Sequence, residues 1–239
     1  MAFLRMGMKF SRDQFASFEA QASADWNRDT GAALIKLYPA HMAALGATPE
    51  IAETFVQTVR DYALAFAITA KRETFKLAVM GVTLGAHFPQ DSRLEKGIST
   101  SLMRGDIPQD RRLVLFTEFV QDWLSGTWTG HGTGHFGTRL VARLRTHQDA
   151  QTALANLTPH HPGLSTQRDT DVFLAHSASH ADGYGLSDPV RRTAYLGVAL
   201  IHGIYWFDDP LMRNLRKIVE SAAREDLCDQ LQTFYDGIA

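Results

Sequence analysis

Residues Ala65 to Leu94 read AFAITAKRETFKLAVMGVTLGAHFPQDSRL, and residues Gly183 to Met212 read GYGLSDPVRRTAYLGVALIHGIYWFDDPLM. The two stretches align without a gap at an offset of 118 residues (183 − 65). Identity is low, with Gly85 matching Gly203 and Asp91 matching Asp209. What recurs is the residue type at each punctuation point: Phe66 with Tyr184, Ile68 with Leu186, Thr69 with Ser187, and His87-Phe88 with Tyr205-Trp206. Small residues at 65, 67, 183 and 185 suit a helix stop and a tight turn. Thr69 and Ser187 then read as N-caps, whose hydroxyl accepts from an otherwise orphaned backbone N–H. The apolar runs Phe75–Leu84 and Tyr195–Ile201 read as buried central helices. Gly85 and Gly203 end them, an aromatic pair follows, and Asp91 or Asp209 caps the next helix. Pro210 directly after Asp209 fits that start. Two related helical halves explain the pattern economically; the alternative is chance similarity between two amphipathic hairpins.

The rest of the chain reads as helix as well. Ser11 and Gln14 have capping-box spacing, with Phe15, Phe18 and Ala22 at helical intervals. The stretch 32–45 must bend or restart at Pro39. Thr48-Pro49-Glu50 starts a helix running through Phe55, Val59, Tyr62 and Phe66. Asp106 to Pro108 opens another, with Leu113, Phe116, Phe119, Val120 and Trp123 on its apolar face. Period-two alternation never persists, so no strand is expected. The expected fold is all-α, with about ten helices by the spacing of these starts and stops.

Composition changes once. Ser125–Thr138, SGTWTGHGTGHFGT, is rich in Gly and Thr, a composition that disfavours helix. It divides the chain into an N-terminal half (1–125), a Gly/Thr-rich connector (126–138) and a C-terminal half (139–239).

Apolar content of 45% and charged content of 21% are those of a soluble globular protein, and a formal charge of −2 gives no global field favouring nucleic acid. The single cysteine, Cys228, excludes an internal disulfide framework and fits a reducing cytoplasm. No run is long and apolar enough for a membrane span, and the opening MAFLRMGMKF does not fit a secretory leader. A cytoplasmic protein without cofactor is expected.

Several residues invite chemistry. Gly132, Gly134 and Gly137 match Gly-x-Gly-x-x-Gly, but a dinucleotide site needs a strand in front, and the preceding segment reads as helix. His131/His135 and His176/His180 each stand four apart, with Asp182 and His160-His161 as further ligands for a metal. The first pair lies in a Gly-rich stretch where helical spacing has no meaning. His176, His180 and Asp182 therefore form the alternative metal set. Asp208, Asp209 and Asp91 read as caps rather than catalytic carboxylates. The acid-free stretch 123–148 carries Arg139, Arg143 and Arg145, with Trp128 and Phe136 in its loop half. Arginine with aromatic residues is the composition of interface hot spots, so these five are the expected partner-binding residues.

Further elements carry a resemblance. They are Met8-Lys9-Phe10-Ser11-Arg12-Asp13-Gln14, the Leu-x-x-x-Tyr-Pro element Leu34–Pro39, the turn Phe66-Ala67-Ile68, and the Leu-Gly-x-x-Phe-x-x-Asp segment Leu84–Asp91. With them the first 125 residues or so resemble small helical proteins encoded beside spike and effector genes of bacterial type VI secretion systems. The chain departs at His87-Phe88-Pro89, where a more acidic segment is expected, and in carrying the second copy. The resemblance implies a cytoplasmic, non-enzymatic accessory protein of toxin delivery: an adaptor, a loading chaperone or an immunity protein. Its partner would be a secreted toxin or spike component, and it supplies no catalytic residues. Two other classes stay open: a metal-dependent helical enzyme built on the histidine cluster, and a self-associating structural protein.

Overall fold

The computed structural model describes residues 11–127, 132–146, 152, 154, 157, 164, 166–223 and 225–237, without the side chains of 126, 127 and 132–135. The fold is all-α. The described residues contain eleven α-helices and four 3-10 turns, with no strand among them. In chain order the helices are α1 Arg12–Leu37, α2 Pro39–Ala44, α3 Pro49–Ala65, α4 Lys71–Leu84, α5 Glu95–Thr100 and α6 Gln109–Thr127. They continue as α7 Gly132–Arg145, α8 Gln167–Gly183, α9 Pro189–His202, α10 Arg213–Ser221 and α11 Leu227–Gly237.

Local chemistry accounts for most boundaries. Ser11 and Gln14 form the capping box that opens α1, and Thr48 and Thr166 cap α3 and α8. Pro39 does restart the chain: α1 stops at Leu37 and α2 begins on the proline. The starts of α4 and α9 differ from expectation by one residue. Their N-caps are Ala70 and Asp188, not Thr69 and Ser187. Asp188 accepts from the backbone N–H groups of Val190 and Arg191. Ala70 offers no side-chain cap; Gln109 at the start of α6 accepts the N–H groups of the two residues leading into α4, Thr69 and Ala70, each at 3.0 Å.

Element order and bounds recur along the chain. α8 begins 118 residues after α3 (167 − 49), and α9 begins the same distance after α4 (189 − 71). The 3-10 turns Phe88–Gln90 and Ser92–Leu94 stand in the same relation to Trp206–Asp208 and Pro210–Met212. Gly85 has φ 90, ψ 153 and Gly203 has φ 92, ψ 161, a region that only glycine occupies readily. A Cβ on Gly85 would lie 2.9 Å from the His202 carbonyl oxygen, and one on Gly203 3.0 Å from an Asp91 carboxylate oxygen. Each glycine therefore lets its own turn approach the other half closely.

The side chains after the glycines fasten that approach. The Asp209 carboxylate accepts the Ala86 backbone N–H at 2.6 Å while capping Leu211 of its own turn at 2.8 Å. Asp91 caps Arg93 of its turn and also holds the Arg93 guanidinium, the closest contact being 2.5 Å. That guanidinium donates to the Leu200 carbonyl in α9 at 2.5 Å and lies 5.0 Å from the Phe173 ring of α8. Arg93 and Asp91 are both buried, as is Asp209. Burial raises the Asp209 carboxyl pKa, against the opposing pull of its two N–H donors.

One hydrophobic core runs through both halves. It includes Phe55, Phe88 and Phe116 from the first and Phe173, Tyr195, Trp206 and Phe207 from the second. All ten residues from Thr193 to His202 in α9 are buried, which makes α9 the helix nearest to the uniformly apolar centre expected from the sequence.

The Gly-rich stretch is a correction. Residues 132–138, expected to be connector, open α7, and 126–127 close α6; residues 128–131 lie outside the described residues. Intrinsic propensity argues against glycine in a helix by about 1 kcal/mol per residue, but tertiary packing overrides it. Phe136, Leu140, Val141 and Leu144 are all buried. Gly137 lies against Tyr235 of α11 so closely that a Cβ would come within 2.2 Å of that side chain. Glycine is there to let two helices touch, not to unravel one.

Candidate functional site

An open polar cluster lies where α8 meets the turn after Gly203. α8 presents His176, Ser179, His180, Gly183 and Tyr184, and the turn presents Ile204 and Tyr205, around a cleft of about 530 Å³. His180 is the hub. Its ring stands nearly perpendicular to Tyr184 (5.2 Å between centroids) and to Tyr205 (4.9 Å). Asp208, exposed at the end of the 3-10 turn, accepts a hydrogen bond from the Tyr184 hydroxyl, and its other carboxylate oxygen is 3.5 Å from His180 Nε2.

The hydrogen bonds fix the protonation pattern. Tyr195 Oη is 3.0 Å from the Ile204 carbonyl oxygen and 2.5 Å from His180 Nδ1. A carbonyl only accepts, so the phenol hydrogen goes to Ile204 and the phenol oxygen accepts from Nδ1–H. Burial lowers the His180 pKa, with Asp208 opposing and His87 assisting, so the imidazole is neutral at pH 7. Its Nε2 then carries a lone pair directed at a carboxylate: two acceptors face each other. Burial first, then the bond to Asp208, push the Tyr184 phenol up to about 12, so it stays a proton donor at neutral pH.

The cluster continues into the first half. His87 Nδ1 is 3.0 Å from the Tyr62 hydroxyl, and the His87 ring is 6.4 Å from Tyr205. Position 62 corresponds to 180 and position 87 to 205 at the 118-residue offset (180 − 62), so the same two sites carry Tyr/His in one half and His/Tyr in the other. Leu77, Phe66 and Gln90 stand where the second half has Tyr195, Tyr184 and Asp208. The polar cleft is thus an elaboration of the second half alone.

Other sequence-derived candidates fare differently. Asp182 forms an ion pair with Arg192, so it does not join His176 and His180 as a third ligand; among the described residues no group of three metal-ligating side chains converges. The carboxylate beside His180 is Asp208, which the sequence presents as a cap alongside Asp209. Asp209 does cap; Asp208 instead accepts from the Tyr184 hydroxyl and lies beside His180. Phe136 is buried in the core, edge-on to Tyr235 at 6.0 Å, and cannot meet a partner there. Arg139 and Arg143 are half-buried on α7, and exposed Arg145 pairs with Asp229 of α11 at 2.6 Å. Trp128, His131, His160 and His161 lie outside the described residues, as does the side chain of His135. The segment before the Gly-x-Gly-x-x-Gly stretch is helix α6, not the strand that a dinucleotide site requires.

Tyr184, Tyr205 and Asp208 escaped the sequence reading for one reason. Each sits at a punctuation point where turn and cap chemistry already explained the residue type. The available signal was the mismatch at equal positions: Gln90 against Asp208, and Phe66 against Tyr184. No helix among the described residues is long and apolar enough to cross a membrane. No protein-family model, curated protein or solved structure matches the chain.

Proposed function

We propose that this is a non-enzymatic binding protein that holds a protein partner, with the α8 cleft at the centre of the docking face. The observation that supports it is the cleft itself: tyrosine and histidine rings around an open space of about 530 Å³, set on a core that spans both halves. Tyrosine offers large contact area and a polar tip with only two rotatable bonds, which is why it is enriched at interface centres. The accessory role in bacterial toxin delivery, as adaptor, chaperone or immunity protein in the cytoplasm, is the form that the sequence resemblance implies. The partner would then be the product of a neighbouring gene.

Co-purification from the native host tests this. Tagged protein is expected to retain one neighbouring gene product in stoichiometric amount, and a Tyr184→Ala/Tyr205→Ala double variant is expected to lose it. Retention by the double variant would move the docking face elsewhere, and failure with every neighbouring product would remove the proposal.

A further inference from the structure

Around His180 and Asp208 the supply of acceptors exceeds that of donors. Three donated hydrogens can be traced: Nδ1–H to Tyr195, the Tyr195 hydroxyl to Ile204, and the Tyr184 hydroxyl to Asp208 Oδ1. That leaves His180 Nε2 and Asp208 Oδ2, both acceptors, 3.5 Å apart at the edge of the cleft. Among the described residues no lysine or arginine forms an ion pair with Asp208; His180 is its charge neighbour, and that ring is held neutral by burial. By contrast, the nearby Asp182 and Glu220 are matched by Arg192 and Arg216. Asp208 therefore has no ion-pair cation among the described residues: Arg216, which donates to the Phe207 carbonyl and lies over the Tyr184 ring, pairs with Glu220 instead.

Such an arrangement favours a cation. Aromatic faces attract a guanidinium or ammonium group within about 6 Å of the ring centre. The protein itself uses this contact twice: Arg216 lies 4.7 Å from the Phe207 ring and 5.4 Å from Tyr184, and Arg93 lies 5.0 Å from Phe173. N–H donors on an entering cation would meet both unsatisfied acceptors at once. A metal ion is the competing cation, but a protein zinc site has about three or four protein ligands. Nε2 and Oδ2 are only two.

We propose that the α8 cleft is a receptor for a basic side chain, an arginine or lysine of the protein partner, with Asp208 Oδ2 and His180 Nε2 accepting its N–H groups and Tyr184 and Tyr205 walling it in. The proposal deepens the protein-binding reading, which supplies the source of the cation; the cleft's affinity for a small cation stands or falls separately.

The test uses the full chain and two probes, N-acetylarginine methylamide and n-butylammonium, titrated while the aromatic and imidazole NMR signals are followed. Saturable shifts centred on His180, Tyr184 and Tyr205 are expected, with dissociation constants of about millimolar for so small a ligand. Asp208→Asn is expected to weaken binding by about tenfold or more. Asp208→Gln, which installs the residue found at the counterpart position 90, provides a second version should the asparagine variant misfold. Absence of shifts at these rings, or equal affinity in both variants, would overturn the proposal. So would stoichiometric zinc binding that excludes both probes, since the acceptor pair would then belong to a metal site. Partner capture can fail while the probes bind, or succeed while they do not, so the two conclusions are judged independently.

Discussion

Position 93 is arginine where its counterpart 211 is leucine, 202 is histidine where 84 is leucine, and 67 is alanine where 185 is glycine. Around these mismatches several backbone features recur at the same offset. α3 and α8 are each followed, two residues past the end, by a residue at positive φ, 52° at Ala67 and 69° at Gly185. In both, the next residue's N–H returns to a carbonyl five positions back, Ile68 to Ala63 and Leu186 to Ala181. The comparison teaches that the 118-residue frame is set by caps, glycine stops and the apolar face, all of which tolerate many side chains. What each half does with that frame is set by single residues the frame does not require. Arg93 and His202 are buried specialities of the interface between halves, and the His180–Asp208 cleft is an exposed speciality of the second half.

Exchanging residues between the halves probes this directly. Arg93→Leu carries the largest expected effect. It strands the Asp91 carboxylate in a site that is 2% exposed, and removing one partner of a buried ion pair costs about 3–5 kcal/mol. Urea unfolding would show the unfolding free energy falling by about that amount and the midpoint moving to lower urea, and Asp91→Asn in the same chain should recover much of it, because the stranded charge is then gone. If Arg93→Leu alone were harmless, the pair would not be what fastens the two turns.

His202→Leu should act through pH. The His202 ring stacks near Tyr235 in the core, and its Nε2 has no hydrogen-bond partner among the described residues. Burial, helped by the neighbouring charges of His41 and Arg93, lowers its pKa from 6.5 to about 3. The unfolded chain takes up a proton as pH drops below 6.5, and the folded chain does not until about 3. Stability is therefore complete above the unfolded value and is lost as pH falls from there toward the folded one, by about 2.5 kcal/mol between about pH 7 and about pH 4.5. His202→Leu should leave stability at neutral pH unchanged or higher and flatten this acid limb. An equally steep limb in the variant would assign the acid sensitivity to other groups.

The smallest effect is expected at Ala67. Its φ of 52° costs an L-residue something that glycine avoids, so Ala67→Gly should stabilise by about 0.5–1 kcal/mol, net of the extra freedom glycine gives the unfolded chain. Differential scanning calorimetry would register a small rise in Tm. A fall would mean that the Ala67 methyl group contributes packing that the exposed turn does not show.

Legibility in the sequence followed the range of the interaction. Helix starts at Ser11, Thr48 and Asp188's neighbour Pro189, the restart at Pro39 and the stops at Gly85 and Gly203 all depend on bonds spanning five residues or fewer, and they were readable. The Gln109 bond to the turn before α4 crosses 40 positions and was not. α7 was misread because glycine's poor helix propensity is a local fact, while Gly137 lying against Tyr235 is a long-range one. At the cleft, His176 and His180 were picked out correctly as neighbours on one helix face. The carboxylate beside His180 is Asp208, distant in sequence, while Asp182, close in sequence, pairs with Arg192.

By itself, then, the sequence determined the all-α class, most helix ends and the recurrence of turn chemistry at 118 residues, because each follows from local hydrogen bonding and the period of the apolar face. Only the tertiary structure decided that the two halves share one core and cross-fasten through Asp209 with Ala86 and Arg93 with Leu200. It alone also set Asp208 beside His180 with an acceptor to spare. The physical reason is that charge compensation and desolvation depend on distance through the folded protein, which the order of residues does not encode one by one.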